Sequence, residues 1–260
     1  MKRQQIAIIG SGISGLTCAY LLHEQHDITV FESNDYIGGH TNTVEIEHLE
    51  QALQVDTGFI VSNDRNYANF LKLMSELGVA LQPTEMSFSV TNKELNLEYN
   101  GHNVNTLFSQ RRNFFRPNFY RLVFDILKFN KMSKALVGKD LDAPLTLGDF
   151  TRASNLSDTF KDNYLLPMVA AIWSCSLKQA EDFPIEFFLR FFHNHGLLDI
   201  KNRPQWYVVK GGSKAYIEPL TANFRQRIEL KCPVTSVERT QSSITVNHAK
   251  GSSNFDQIIF

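Results

Sequence analysis

The sequence predicts an α/β protein: a parallel sheet opened by a βαβ unit and interrupted by a mainly helical insert. Three observations carry this prediction. The apolar run at residues 6–9 leads directly into Gly10-Ser11-Gly12-Ile13-Ser14-Gly15 and then a helical pattern. A second strand-like run at residues 28–31 ends on Glu32. After Gly211-Gly212 the β/α character returns, with a helix-rich stretch in between.

Residues 6–9 form a short, uninterrupted apolar run, as expected of a parallel strand covered on both faces. Residues 14–25 place Leu16, Ala19, Tyr20 and His23 at helical spacing, so strand, helix and second strand complete one βαβ unit. A glycine-rich loop at residues 37–42 precedes the alternating strand pattern of residues 43–47, and Val55-Asp56-Thr57-Gly58 reads as a strand ending in a turn. Residues 67–77 carry Phe70, Leu71, Met74 and Leu77 on one helical stripe, with Gly78 placed as the C-cap. Beyond about Pro83 the pattern changes. Residues 87–90 and 94–99 read as a hairpin, with Asn100-Gly101 as the turn signal. Residues 116–136 and 158–171 read as helices, the second broken near Pro167, and residues 187–192 add an aromatic helical stretch. Strands are expected at 228–230, 234–238, 244–246 and 257–260. The predicted organisation is a nucleotide domain in two segments, 1–82 and 206–260, around a helical substrate domain at 83–205.

Composition narrows the function classes. With 26 Lys plus Arg and 27 Asp plus Glu the net charge is −1, which argues against a nucleic-acid partner. Twenty phenylalanines point to a large aromatic core, or else to an apolar substrate channel. Cys18, Cys175 and Cys232 are too far apart for a metal or redox motif, so reduced thiols in a cytoplasmic setting are expected. The apolar run after Met1-Lys2-Arg3 is too short for a signal peptide, and no stretch approaches the roughly 20 apolar residues of a membrane span.

The glycine loop has a definite chemistry. Gly10 permits the tight turn, Gly12 lets backbone approach a pyrophosphate, and Gly15 lets the helix pack on the strand. The helix start around Ile13 and Ser14 presents free N–H groups and partial positive charge to phosphates. Glu32 lies where a carboxylate accepts hydrogen bonds from an adenosine ribose and disfavours a 2′-phosphate, and Ser33 adjoins it. A second glycine pair, Gly38-Gly39, is followed by His40 and Thr41; it would bring another backbone segment to the pyrophosphate. These residues alone leave FAD and NAD open.

Residues 6–43 resemble the FAD-binding start of the flavin-containing amine oxidoreductases, the superfamily that also holds phytoene-type desaturases and protoporphyrinogen oxidases. The shared pattern is G-x-G-x-x-G, an acid, then a second glycine pair, and it departs at His40, where most members have Arg. Val209-Lys210-Gly211-Gly212-Ser213 and the stretch from Cys232-Pro233-Val234 to Ile259 resemble that family's return to the FAD domain, and the resemblance implies that Val234 contacts adenine through its backbone. Trp173-Ser174-Cys175 and residues 192–197 resemble a bacterial branch described as predicted NAD/FAD-binding proteins. The resemblance implies an FAD-dependent oxidoreductase abstracting a hydride from an amine-bearing or apolar small molecule, with electrons passed to oxygen or another acceptor. It also implies a longer protein, with this chain an N-terminal fragment that holds FAD weakly. An NAD-dependent Rossmann enzyme and a non-catalytic dinucleotide-binding module are the alternatives.

Other motifs carry less. His193-Asn194-His195 does not place two imidazoles on one helix face, so no metal site is expected. The phenylalanines of residues 183–192 read first as core. A tunnel would draw on Trp173, Phe188, Phe192 and Trp206, and a peripheral membrane contact is the other use of such a stripe. No catalytic residue or oligomeric state is assigned.

Overall fold

The computed structural model describes residues 2–139, 144–199, 202–240 and 243–260. Along the chain, β1 (Gln5–Ile9), α1 (Ile13–Leu22) and β2 (Asp27–Phe31) form the βαβ opening, with Gln5 beside Asp27 and Ile9 beside Phe31 in parallel register. The hairpin of β3 (Thr43–His48) and β4 (Gln51–Asp56) follows, then β5 (Ser62–Asn63), α2 (Ala68–Glu76) and β6 (Leu81–Thr84). A second hairpin, β7 (Ser89–Asn92) with β8 (Leu97–Asn100), precedes α3 (Val104–Leu107) and the long α4 (Pro117–Leu136). Helices α5 (Leu147–Ala153), α6 (Asp158–Phe160), α7 (Leu166–Trp173), α8 (Leu177–Glu181) and α9 (Ile185–Asn194) come next. The chain then runs through β9 (Trp206–Val209), α10 (Ile217–Thr221), β10 (Ile228–Glu229), β11 (Val234–Arg239), β12 (Ile244–His248), β13 (Gly251–Phe255) and β14 (Gln257–Ile259).

Two compact units result. The first comprises residues 1–63, 67–84 and 206–260, and the second residues 64–66 and 85–205. The first unit is built on a parallel sheet of order β10-β2-β1-β14, with an antiparallel meander β11-β12-β13 and a smaller sheet β5-β9-β6. The apolar run of β1 has a physical explanation here. Ile6 and Ile8 pack with Leu16 and Ala19 of α1, whereas Ala7, between them, packs with Phe31, Cys232, Val246 and Phe255 on the meander side. Both faces of β1 are covered, so no polar alternation is tolerated. Each fully buried side chain of this size contributes about 1.5–3 kcal/mol. α2 ends in a Schellman turn: Gly78 has φ +68, Val79 N–H bonds Met74 O, and Gly78 N–H bonds Ser75 O.

The second unit has an aromatic core. Phe129 of α4 sits against Phe150, Phe160 and Phe188, with centroids 5.3 to 6.0 Å away. The break expected near Pro167 is a π-helical turn, Lys161–Leu165. Proline has no N–H to return to the Asn163 carbonyl four residues earlier, and the Tyr99 hydroxyl donates to that carbonyl instead, at 2.6 Å. The hairpin expectation needs one correction. The β7–β8 turn is Lys93–Asn96, where Asn96 takes φ +46, while Asn100-Gly101 lies after β8 and Gly101 N–H bonds Phe88 O. Strands β5, β6, β9 and β13 were not anticipated, because short edge segments such as Ser62–Asn63 and the polar Gly251–Phe255 carry no apolar alternation.

Candidate functional site

The glycine loops gather on one cavity within the first unit. It has a volume of about 560 Å3 and is lined by Gly10, Gly12, Ile13, Ser14 and Gly15 from the β1–α1 loop and by Gly38, Gly39, His40 and Thr41 from the second glycine turn. Its remaining walls are Ile9 and five aromatic side chains, Phe59, Tyr67, Phe70, Tyr216 and Phe260. Phe70 meets Phe59 and Tyr216 edge-on, at 5.2 and 5.8 Å.

Local rules place each glycine. Gly10 has φ +96, and its N–H bonds Phe31 O across the β1–β2 edge. A methyl on Gly15 would lie 2.1 Å from the Gly10 carbonyl oxygen, so only glycine lets α1 start this close to the turn. Gly12 differs. It caps α1 with φ −68 and ψ 173, and a Cβ there would meet nothing within 4 Å. No side chain caps α1. The first-turn N–H groups of Ile13, Ser14 and Gly15 therefore await an acceptor at the positive end of the helix dipole. This cradle, with its uncapped donors and bare Gly12, fits a dinucleotide pyrophosphate.

Glu32 is buried behind the loop. One carboxylate oxygen accepts from Ser11 N–H at 2.9 Å and from Ser11 Oγ at 2.5 Å, and the other from Asn34 N–H at 2.8 Å and Ser33 Oγ at 3.2 Å. Burial pushes the carboxyl pKa up, but the bonds from Asn34, Ser11 and Ser33 outweigh burial and hold it below its ordinary value. The same Ser11 hydroxyl accepts from Gly38 N–H at 3.2 Å, and Gly12 and Gly38 form a parallel bridge. Ser11 thus ties the first glycine loop, the acid and the second glycine turn into one frame. It was absent from the expected site, since nothing in a variable position of G-x-G signals a contact made 27 residues away.

A second frame holds the other side. Asp56 Oδ1 accepts from Thr43 Oγ1 at 2.6 Å and from the N–H and hydroxyl of Ser213, both at 2.8 Å, while Lys214 N–H bonds Thr43 Oγ1 at 2.9 Å. Gly212 has φ +91, and a methyl on it would strike the Thr43 side chain at 2.4 Å. The Thr41 hydroxyl bonds the Tyr216 hydroxyl, and burial raises the Tyr216 pKa, so the phenol stays neutral. Asp56, Ser213 and Tyr216 escaped the expected site because their partners lie more than 150 residues away in sequence.

Of the twelve expected cofactor residues, nine line this cavity. Glu32 and Ser33 stand behind it through Ser11. Val234 lies outside the cavity lining, at the head of β11, two residues after Cys232, whose N–H bonds Glu32 O at 2.8 Å. Three of the tunnel residues, Trp173, Phe188 and Phe192, pack together, but as part of the second unit's core, with Trp173 6.3 and 6.4 Å from the two phenylalanine rings. Phe188 and Phe192 are fully buried core, stacked at 3.9 Å; Trp173 packs on Phe183 at 4.6 Å; and Trp206 belongs to β9 of the other unit. The apolar face of α9 is used up in packing. His195 stacks on Phe191 at 4.0 Å. No group of three or more His, Cys, Asp or Glu residues suited to a metal occurs among the described residues.

The family model described as flavin containing amine oxidoreductase matches residues 13–260. The chain belongs to this family. FAD is the cofactor that membership indicates. Amine oxidase [flavin-containing] A of Canis lupus familiaris is 27% identical over 279 residues, covering 94% of this chain and 47% of that protein. The chain therefore spans about half the length of that relative. Among solved structures, cyclohexylamine oxidase from Brevibacterium oxydans IH-35A superposes with a TM-score of 0.74 at 18% identity, covering 99% of this chain and 57% of the other. Wild-type putrescine oxidase bound to putrescine gives 0.70 at 16% identity, with 99% and 57% coverage. Both structural likenesses establish the fold.

Proposed function

We propose that the complete protein is an FAD-dependent oxidoreductase that takes a hydride from an amine-bearing or apolar small molecule and delivers the electrons to oxygen or another acceptor. The observation that carries this reading is the convergence of the uncapped start of α1 and the Gly38–Thr41 turn on one cavity, with Glu32 held ionised behind them. The α1 N–H groups and the second glycine turn bind the pyrophosphate. Glu32 accepts ribose hydroxyls, which replace the Ser11 or Ser33 hydroxyl on its oxygens, and its charge repels a 2′-phosphate. Val234 borders the adenine, and His40 faces the phosphates. Residues 1–82 and 206–260 form the cofactor domain and residues 83–205 the substrate domain.

When bound, the flavin ring supplies the hydride acceptor, so the protein's own task is binding, orientation and exclusion of water. Phe59, Tyr67, Phe70 and Tyr216 give the cavity an apolar wall, which excludes water from the site. Cys18, Cys175 and Cys232 are all unpaired, which suits a cytoplasmic protein. No described helix is long and apolar enough to cross a membrane. The test is anaerobic addition of a panel of primary and secondary amines and unsaturated lipids to the holoprotein. Loss of flavin absorbance near about 450 nm with one class supports the reading. No loss with any member of either class, in protein that holds FAD, overturns it.

A further inference from the structure

The second unit carries a surface that the cofactor cavity does not use. Residues 104–139 hold eight basic side chains (Arg111, Arg112, Arg116, Arg121, Lys128, Lys131, Lys134 and Lys139) and one acid, Asp125, in a chain whose net charge is −1. Asp125 is buried and accepts hydrogen bonds from Ser157, so it does not offset the exposed charges. Lys134 is paired with Asp199. Arg111, Arg112 and Arg116 bond only to neutral amide or carbonyl oxygens, and Arg111, Arg112, Arg116, Arg121, Lys128 and Lys131 form no salt bridge with a carboxylate among the described residues.

Apolar side chains are exposed among these charges. Phe119, Leu122 and Phe129 turn α4 into the core, yet Tyr120, Phe124 and Leu127, at i, i+4 and i+7, form a second apolar stripe on its outer face. Phe124 is 66% exposed, and Phe115, just before the helix, is 88% exposed. Scattered exposed apolar residues need no explanation, but a contiguous stripe rimmed by unneutralised arginine and lysine does. Phe115 and Arg116 also wall a groove of about 470 Å3 floored by Leu95, Leu97 and Leu122.

We propose that the face formed by residues 111–131 docks the protein on an anionic phospholipid membrane surface. Phe115, Tyr120, Phe124 and Leu127 enter the headgroup–acyl boundary, while Arg111, Arg112, Arg121, Lys128 and Lys131 stay at the phosphate level. The groove beside Phe115 and Arg116 suits an acyl chain with its phosphate at the rim. An aliphatic residue, Leu127, within the stripe suits lipid better than stacked nucleic-acid bases. The proposal is independent of the substrate assigned above.

The test is vesicle co-sedimentation of the complete holoprotein, comparing phosphatidylcholine vesicles with vesicles containing about 30% phosphatidylglycerol. Binding to the anionic vesicles is expected, at least about tenfold stronger than to the neutral ones and weakened by high salt. Phe115→Ser/Phe124→Ser and Arg111→Glu/Arg112→Glu/Arg121→Glu should each lower partitioning at least about tenfold. Flavin content should not change, since these side chains are exposed and lie outside the cofactor cavity. The proposal is overturned by no binding of the complete protein to anionic vesicles, or by binding that neither variant reduces. Variants that dissociate a protein oligomer, or abolish binding to a single-stranded oligonucleotide while lipid binding is absent, also overturn it.

Discussion

Gly12 and Gly15 belong to the same loop, and the structure gives them opposite physical roles. A methyl at Gly15 would sit 2.1 Å from the Gly10 carbonyl oxygen and 3.3 Å from Ile8 Cγ2. Ordinary contact requires a shift of about 1 Å between α1 and the β1 turn, and overpacking of this kind costs about 1–3 kcal/mol. The first figure is a backbone contact that no side-chain rotamer relieves, so the upper end is expected. Gly15→Ala should therefore lower the melting temperature by about 6–12 °C for a chain of this size. At Gly12 the added methyl meets nothing within 4 Å, and φ −68 is ordinary for alanine. Gly12→Ala should leave the melting temperature of the cofactor-free protein within about 2 °C of the parent, because only unfolded-state entropy changes. Its methyl nevertheless projects into the cavity where a pyrophosphate must approach the backbone, so FAD affinity should fall at least about tenfold. Thermal denaturation of the apoprotein and fluorescence titration with FAD measure the two effects separately. A Gly12→Ala protein that binds FAD like the parent, or that is as destabilised as Gly15→Ala, would refute the assignment.

Three further outcomes follow from the same geometry. Glu32 has a pKa lowered in the folded state, so its stabilising contribution is complete above the unfolded carboxyl value and is lost as pH falls through the folded value. Urea denaturation of the apoprotein should show that acid-side loss in the parent and a flatter profile in Glu32→Gln, which should also be about 1–3 kcal/mol less stable at neutral pH from mismatched donors at Ser11 and Asn34. Tyr99→Phe removes the hydroxyl donor to the Asn163 carbonyl at the π turn and should cost about 1–2 kcal/mol by denaturant titration, with FAD affinity unchanged. Gly212→Ala drives a methyl into Thr43 at a left-handed backbone position; it should lower both melting temperature and FAD retention by disturbing the Asp56–Ser213 frame, as scored by flavin-to-protein absorbance ratio.

The parts legible in the sequence were those set by local pattern. The run at Ile6–Ile9, the glycine spacing, the helix after it and the acid ending β2 are each dictated by neighbours in the chain, and their geometry follows directly. The β7–β8 turn was misplaced because Asn100-Gly101 is a strong local turn signal. Asn96, four residues earlier, instead adopts the left-handed conformation in a context that Gln110 and Asn113 help fix through bonds to Glu98. Ser11, Asp56 and Tyr216 were silent for a different reason. Their hydroxyl and carboxylate partners come from segments brought together only by the folded sheet, and polar residues in loops carry no periodicity. The phenylalanine stripe of α9 reads first as core, and Phe188 and Phe192 are buried as such; what the stripe does not name is the opposing Phe129, a partner that no local pattern supplies.

FAD is proposed to sit in the cradle of Gly10–Gly15, Glu32 and Gly38–Thr41. The most direct measurement is the visible absorbance of the complete protein as purified, followed by parallel titrations of the stripped protein with FAD and NADH. The geometry predicts a yellow protein with one FAD per chain, rebinding FAD in preference to NADH and losing it on Gly12→Ala. A colourless protein that binds NADH tightly and FAD not at all would contradict it.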